Sequence, residues 1–331
     1  MNRAICLGEI WVDCFAEQSG LPRSKVTSWA PLPGGASANV ACALAKLGGQ
    51  VEFIGAVGRD AWGDALVKLL SDMGVGHQGV QRRLKAPTRR VYILHEEAED
   101  AEQKVRHSAF AGFSENVPTA FADAHLFADA LAPELFAGAS FLVLGTLAMA
   151  YADTRQSVHQ AVNLAREQGA AILVDVNWRP MFWPSPAEAP GQVYDLLQKV
   201  QFLKVSVEES EWLFGTACAA AIAHQLPHLS GVLVTTRVNG CHYWLAGNIG
   251  AVPGFVVDVE DAAGADDAFT AGFVYQLLLR GLTCLKAADV AQSVVNYASA
   301  VSALTMTRPG SIAALPTPTE VAAFLYLNPA C

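Results

Sequence analysis

Short apolar runs separated by helical stretches recur through most of the chain, and this alternation constrains the fold more than any single residue does. Ala4-Ile5-Cys6-Leu7, Val51 to Gly58, Phe141 to Leu144, Ala171 to Val174, Phe202 to Val205 and Val232 to Thr235 read as buried strands. Between them lie segments with apolar residues at helical spacing, such as 36–47, 61–73 and 154–168. Repeated βα units of this kind imply a mainly parallel sheet covered by helices on both faces. Ligands of such a sheet bind beyond the carboxyl ends of its strands. Gly8-Glu9, Asp175-Val176-Asn177, Ser206, Thr235 and the loop around Gly264 all fall at those ends.

Two stretches interrupt the alternation. Residues 11–33 are loop-rich and carry Trp11, Asp13 and Trp29, and the region 89–113 reads as two strands flanking the acidic run 96–102. Together they are expected to form a small β lid over one edge of a single α/β domain spanning residues 1–331.

A formal net charge of -9 with no basic run argues against a nucleic-acid partner, since neutralising phosphates needs clustered Lys and Arg. The longest apolar stretch, 137–150, is too short to cross a bilayer, so no membrane association is expected. Seven cysteines stand singly without a Cys-x-x-Cys pair, which indicates neither a disulfide framework nor a zinc site and fits a reducing cytoplasm.

The stretch Asp261 to Phe273 reads as a loop entering a helix, with Phe255-Val256-Val257 as a β-prone run before it. A helix start leaves amide N–H groups without intrahelical partners, which favours an anion there. Asp266 and Asp267 also fit a plainer role, complementing the positive end of the helix dipole. No Lys follows a Gly anywhere, which excludes a Walker A loop, and neither His-Glu-x-x-His nor Gly-x-Ser-x-Gly occurs. Any phosphate site must therefore use the Gly34-Gly35 turn or the Gly264 loop.

The order of several blocks resembles the ribokinase-like (PfkB) carbohydrate kinases, within them the fructokinase-like branch, over nearly the whole length. The blocks are Gly34 to Asn39 continuing through Leu47-Gly48 to Gly63, Asp175 to Pro180 with Trp183, Lys204 to Glu209, Asp261 to Phe273, and Thr307 to Ser311. The resemblance implies a ribokinase-like three-layer fold, Mg-ATP as cofactor, a sugar as partner and a homodimer through the lid. It also implies roles by position. Asp13, Gly34, Gly35, Asn39, Asn177 and Arg179 would face the sugar; Ser206, Thr235, Arg237, Gly240 and Asn296 would lie near the nucleotide; Glu209 would organise magnesium. Asp267 would be the catalytic base, with Gly264, Ala265 and Asp266 supplying the anion hole.

Two positions depart from the family pattern. Asp266 stands where relatives carry the glycine of Gly-Ala-Gly-Asp, and Arg237 stands where they carry another glycine. A carboxylate beside the anion hole repels phosphate, and Arg237 is expected to neutralise it or to contact a phosphate directly. Two readings are open at this point: an ATP-dependent kinase acting on a primary hydroxyl of fructose or a related sugar, and a fructokinase-like binding or regulatory protein with nucleotide affinity and little turnover.

Overall fold

The computed structural model describes residues 2–100, 103–236 and 240–329. Its larger sheet contains, in chain order, β1 (Arg3–Leu7); the smaller sheet contributes β2 (Trp11–Ala16) and β3 (Trp29–Gly34). The larger sheet continues with β4 (Gln50–Gly58) and β5 (Gly76–Arg83), and the smaller with β6 (Arg90–Asp100) and β7 (Gln103–Phe113). The larger sheet then adds β8 (Ala139–Gly145), β9 (Ala171–Asp175), β10 (Phe202–Ser206), β11 (Gly231–Thr236), β12 (Gly240–Leu245) and β13 (Asn248–Val252). Helices are α1 (Ala36–Lys46), α2 (Ala61–Asp72), α3 (Ala152–Glu167), α4 (Ala189–Leu197), α5 (Val207–Phe214), α6 (Ala219–Gln225), α7 (Ala265–Arg280), α8 (Ala288–Met306) and α9 (Pro318–Leu327).

Among the described residues the larger sheet runs β13-β12-β11-β10-β9-β8-β1-β4-β5. Its pairs are parallel from β11 to β5, and only β12 and β13 close one edge in antiparallel fashion. Alternation along the strands divides the core into two layers. Ala4 and Cys6 of β1 pack with Leu66 and Leu70 of α2, Phe273 of α7 and Val294 of α8 on one face. Ile5 and Leu7 pack with Val158 of α3, Leu196 of α4, Phe214 of α5 and Ile222 of α6 on the other. A sheet buried on both faces needs apolar residues at successive positions, which explains why these strands read as unbroken apolar runs.

The smaller sheet has the order β3-β2-β6-β7. The stretch expected to be loop-rich before Pro33 thus contains two strands. Pro31 and Pro33 are tolerated because β3 lies at a sheet edge, where a missing N–H removes no ladder bond. A second difference is at Phe255-Val256-Val257, which is coil, with Val256 fully exposed. Pro253 follows the end of β13 and cannot donate to a ladder, so the β-prone run leaves the sheet. Gly74-Val75-Gly76-His77-Gln78-Gly79 has the spacing of a dinucleotide fingerprint, yet it runs from the end of α2 into β5. That is the reverse of the strand-to-helix order which aims amides at a phosphate. The acidic tip residues Ala101 and Glu102 lie outside the described residues.

Helix α7 carries the candidate site. It is buried continuously from Asp267 to Val274 between α1 and α8, and Phe273 meets Phe202 of β10 edge-on at 5.8 Å. Small residues permit this: a side chain at Gly272 would come within 3.0 Å of the Ala298 Cα on α8.

Candidate active site

Two cavities meet at the start of α7. The smaller, about 250 Å³, lies between the smaller sheet and the α7 loop and is lined by Glu9, Trp11, Asp13, Asn39, Phe182 and Asp267 among others. The larger, about 550 Å³, lies beyond the ends of β9, β10 and β11 and is lined by Lys204, Ser206, Glu209, Thr235, Gly240 and the 254–259 coil among others. Asn177, Arg179, Ala262 and Asp266 line both. A group passing from one cavity to the other therefore passes the first turn of α7.

Gly264 begins that turn in the left-handed region at φ 77°, and a side chain there would sit 2.7 Å from the Ser311 Cβ. Both facts favour glycine at this position. The loop is tied down by Asp261, whose Oδ1 accepts from the Ala263 amide and whose Oδ2 accepts from the Gly310 amide, each at 2.9 Å. This links the Gly264 loop to the Thr307–Ser311 block, and Ser311 also lines the smaller cavity.

Asp267 is buried, and its Oδ2 accepts a hydrogen bond from Asn39 Nδ2 at 2.8 Å. Burial pushes its carboxyl up to about 7, with the Asn39 hydrogen bond opposing the rise. A carboxylate with its pKa near neutrality is suited to accept a proton at neutral pH. The other amide atom, Asn39 Oδ1, is buried without a protein partner. A buried acceptor left unsatisfied costs free energy, and the cavity beside it offers a hydroxyl donor a place to bind.

Asp13 takes an indole N–H bond from Trp11 at 2.9 Å, and burial pushes its carboxyl up to about 7 against that bond. A side chain at Gly34 would lie 2.0 Å from Asp13 Oδ2, so the acid and the glycine require one another. Gly34 itself is buried and does not line the cavity, whereas Gly35 does, at φ 101°. Asn177 holds the left-handed φ of 40°, a conformation Asn tolerates better than most side chains. Arg179 is exposed and donates to the Trp178 carbonyl at 3.0 Å.

In the larger cavity, Ser206 and Glu209 form a capping box at the start of α5. Glu209 Oε2 accepts from the Ser206 amide at 2.8 Å and Oε1 from the Trp178 amide at 2.5 Å. Each oxygen retains a lone pair. Burial, then the neighbouring Asp175, raises the Glu209 carboxyl above its usual range. Ala265 also lines this cavity. Asn296 lines neither; the α8 residues that do are Ser299, Ser302, Ala303 and Met306. Arg237 lies outside the described residues.

Among the described residues, Lys204 is a cation beside Asp266. Its Nζ is 2.9 Å from Asp175 Oδ2 and 3.5 Å from Asp266 Oδ1, and Asp175 Oδ2 also accepts from the Thr270 hydroxyl at 2.9 Å. Burial disfavours the charged ammonium, but the two carboxylates outweigh it and hold its pKa above the usual range. Sequence reasoning gave Lys204 and Asp175 no role of their own. The signal was present: a lysine inside the apolar strand Phe202-Leu203-Lys204-Val205 is buried only if paired. Trp11 and Phe182, stacked at 4.9 Å and 13°, form an aromatic wall that no spacing rule announces, because they are far apart in sequence.

Known proteins resemble the chain over nearly its full length. Residues 1–318 match the description "pfkB family carbohydrate kinase". The chain is 32% identical over 328 residues to "Probable fructokinase-2" of Arabidopsis thaliana, covering 98% of this chain and 96% of that one. Its fold matches a fructokinase from Xylella fastidiosa with bound ATP at TM-score 0.86 and 29% identity, covering 98% of each chain. A fructokinase from Vibrio cholerae O395 in its fructose, ADP and calcium ion bound form matches at TM-score 0.82 and 28% identity, covering 98% of this chain and 99% of that one.

Proposed function

The chain belongs to the PfkB family of carbohydrate kinases and is an ATP-dependent sugar kinase, and from that premise we propose that it phosphorylates a primary hydroxyl of fructose or a close relative, with Asp267 as base. The observation that carries the reading is the juxtaposition of Asp267 and the orphan Asn39 Oδ1 in a cavity of monosaccharide size, opening at the α7 turn onto a second, larger cavity. The sugar binds in the smaller cavity and the nucleotide in the larger. As the sugar oxygen attacks the γ-phosphorus, its proton passes to the Asp267 carboxylate. The new O–P bond forms as the bond to the β–γ bridging oxygen breaks, and ADP leaves. First-turn amides of α7 hold the charge on the transferring group.

Fructose is favoured by the fructokinase relatives, one of which is described with fructose and ADP bound. A sugar already carrying a phosphate is disfavoured, because Arg179 is the sole cation among the described residues lining the smaller cavity. The non-catalytic alternative is motivated by the departures at Asp266 and Arg237, of which the first places a carboxylate beside the anion hole. That charge has Lys204 beside it.

Magnesium fits the donor set. No group of three or more His, Cys, Asp or Glu among the described residues forms a cage. Magnesium does not need one, since it keeps much of its hydration and binds through one or two carboxylates plus substrate phosphates. Glu209 would hold it, and the ion would neutralise charge on the ATP phosphates. Pairing of two copies through the smaller sheet belongs to the same proposal, supported by exposed Leu32 and Phe110; a monomer mass by light scattering would remove it. Buried free thiols at Cys6, Cys14, Cys42 and Cys241 support a cytoplasmic setting, and no helix among the described residues is long and apolar enough to cross a membrane.

The decisive experiment measures ADP formation with Mg-ATP across a panel of sugars for the native chain and Asp267→Asn. Sugar-dependent turnover in the native chain should fall by roughly 10²–10⁴ in the variant. Turnover in Asp267→Asn equal to the native chain would overturn the assignment.

A further inference from the structure

Outside the two cavities, the most unusual group in the molecule is Arg89, an arginine only 1% exposed, lying just before β6 at the seam between the two sheets. Its Nε and Nη2 form a bidentate pair with Asp123 at 2.7 and 3.0 Å. Nη2 also reaches the Pro118 carbonyl at 2.9 Å and the Tyr151 hydroxyl at 3.0 Å. Aromatic rings surround the guanidinium: its carbon is 4.3 Å from the Phe121 centroid, 5.0 Å from Phe113 and 5.5 Å from Phe182. Nη1 is buried without a protein partner. Burying an arginine carries a desolvation cost that a hydrophobic side chain would not, and its partners here are the route by which it positions what lies beyond them.

The contacts lead toward the sugar cavity. The Tyr151 hydroxyl, fixed by Arg89, donates to the Phe182 carbonyl at 2.9 Å. The Phe182 ring stacks on Trp11, and both line the smaller cavity. On its other side Phe182 meets Phe113 of β7 edge-on at 4.9 Å, and Phe113 is one of the rings around Arg89. The Arg89 carbonyl accepts from the Val12 amide at 3.0 Å, between Trp11 and Asp13 in β2. Arg89 thus holds the aromatic wall from behind at two points, the Phe182 backbone and the Phe113 ring, and its backbone holds the strand that carries Trp11 and Asp13.

We propose that Arg89, acting through Tyr151, is a positioning residue that sets the Trp11–Phe182 wall and thereby which sugars the smaller cavity accepts. The inference rests on the sugar-kinase reading for its substrate. It assigns Arg89 no contact with the reacting atoms. A flat aromatic face held rigidly accepts the C–H face of a sugar ring of one shape; released, it admits several.

The test uses Tyr151→Phe, which keeps the ring and removes the hydroxyl between Arg89 and the Phe182 carbonyl. Arg89→Met combined with Asp123→Leu serves as a second variant, because Arg89→Met alone leaves Asp123 as a buried unpaired charge. Steady-state kinetics give KM for sugar, KM for ATP and kcat, and titration calorimetry gives sugar affinity without turnover. In both variants KM and Kd for the preferred sugar should rise about three- to tenfold, the size of one lost hydrogen bond, with KM for ATP unchanged. The ratio of kcat/KM between ketose and aldose substrates should narrow. Unaltered sugar KM and selectivity in a folded Tyr151→Phe would overturn the proposal. So would a parallel rise in both KM values, which marks a general structural defect. If the native chain binds sugar but does not turn it over, the calorimetric shift still decides the proposal while the kinase reading falls. A native chain that neither binds nor phosphorylates any sugar removes both.

Discussion

On the proposal that Asp267 is the base, replacing Asn39 by Ala should move the pH profile of the reaction. Asn39 Nδ2 donates to Asp267 Oδ2 at 2.8 Å, and this bond opposes the burial that otherwise raises the carboxyl. A hydrogen bond to a charged group is worth about 1.5–3 kcal/mol, and about 1.4 kcal/mol corresponds to one pKa unit. Removing the bond should therefore raise the base from about 7 to roughly 8–9. The base works only when deprotonated, so activity rises with pH through its pKa. At pH 7 the deprotonated fraction would fall from about one half to between about 1 and 10%, a roughly five- to fiftyfold loss in kcat. The assay is kcat at saturating sugar and ATP from pH 5.5 to 10, which separates the loss of a base from any loss of sugar affinity. The variant should approach the native rate near pH 10. Superimposable profiles, or a loss of equal size at every pH, would refute the reasoning.

Two further outcomes are expected. Burial raises Glu9, Asp13 and Asp267 each to about 7, so the folded protein binds more protons than the unfolded chain between the ordinary carboxyl range and that value. Their contribution to stability is present at low pH and lost as pH rises through about 7. Asp13→Asn should thus raise the melting temperature at pH 8 more than at pH 5 while weakening sugar binding; an equal shift at both values would count against a raised Asp13. Asp266→Gly removes a 73% exposed carboxylate from the junction of the cavities, and KM for ATP should fall about two- to fivefold, less at high salt. A rise in KM would assign Asp266 a supporting role instead.

Local periodicity and position decided what was legible in the sequence. The parallel strands interior to the sheet are buried on both faces, so their apolar runs are unambiguous, whereas the parallel edge strand β5, Gly-His-Gln-Gly-Val-Gln-Arg-Arg and mostly half-buried, carries no such run; polar residues at the carboxyl ends of the inner strands line the candidate site. The Gly264 turn was legible because only glycine accepts its backbone. What stayed hidden depends on contacts between residues distant in sequence. The strands of the smaller sheet pair 11–16 with 29–34 across a long excursion, and the prolines within the second mask it. Likewise, the expected partner of Asp266, Arg237, lies outside the described residues, while Lys204, which carried no role in the sequence reading, is brought beside Asp266 by strand register next to Asp175. Asn296 was placed by family position alone, and the helix presents Ser299, Ala303 and Met306 to the cavity instead.

The capping box at Ser206 and Glu209 has a consequence for how such chains age. Glu209 secures the first turn of α5 whether or not a metal ever sits against it. A descendant that stopped phosphorylating sugars would still lose helix stability by discarding it, so the persistence of this acid says little about turnover. Burial raises both carboxyls, but Asp267 caps no helix. It is a buried carboxyl with a raised pKa and one side-chain donor, and deprotonation at neutral pH works against the fold. Without catalysis to retain it, mutation to a neutral residue would stabilise the protein and go unopposed. The acid with no capping role is therefore the better witness to the chemistry than the acid that also holds a helix start.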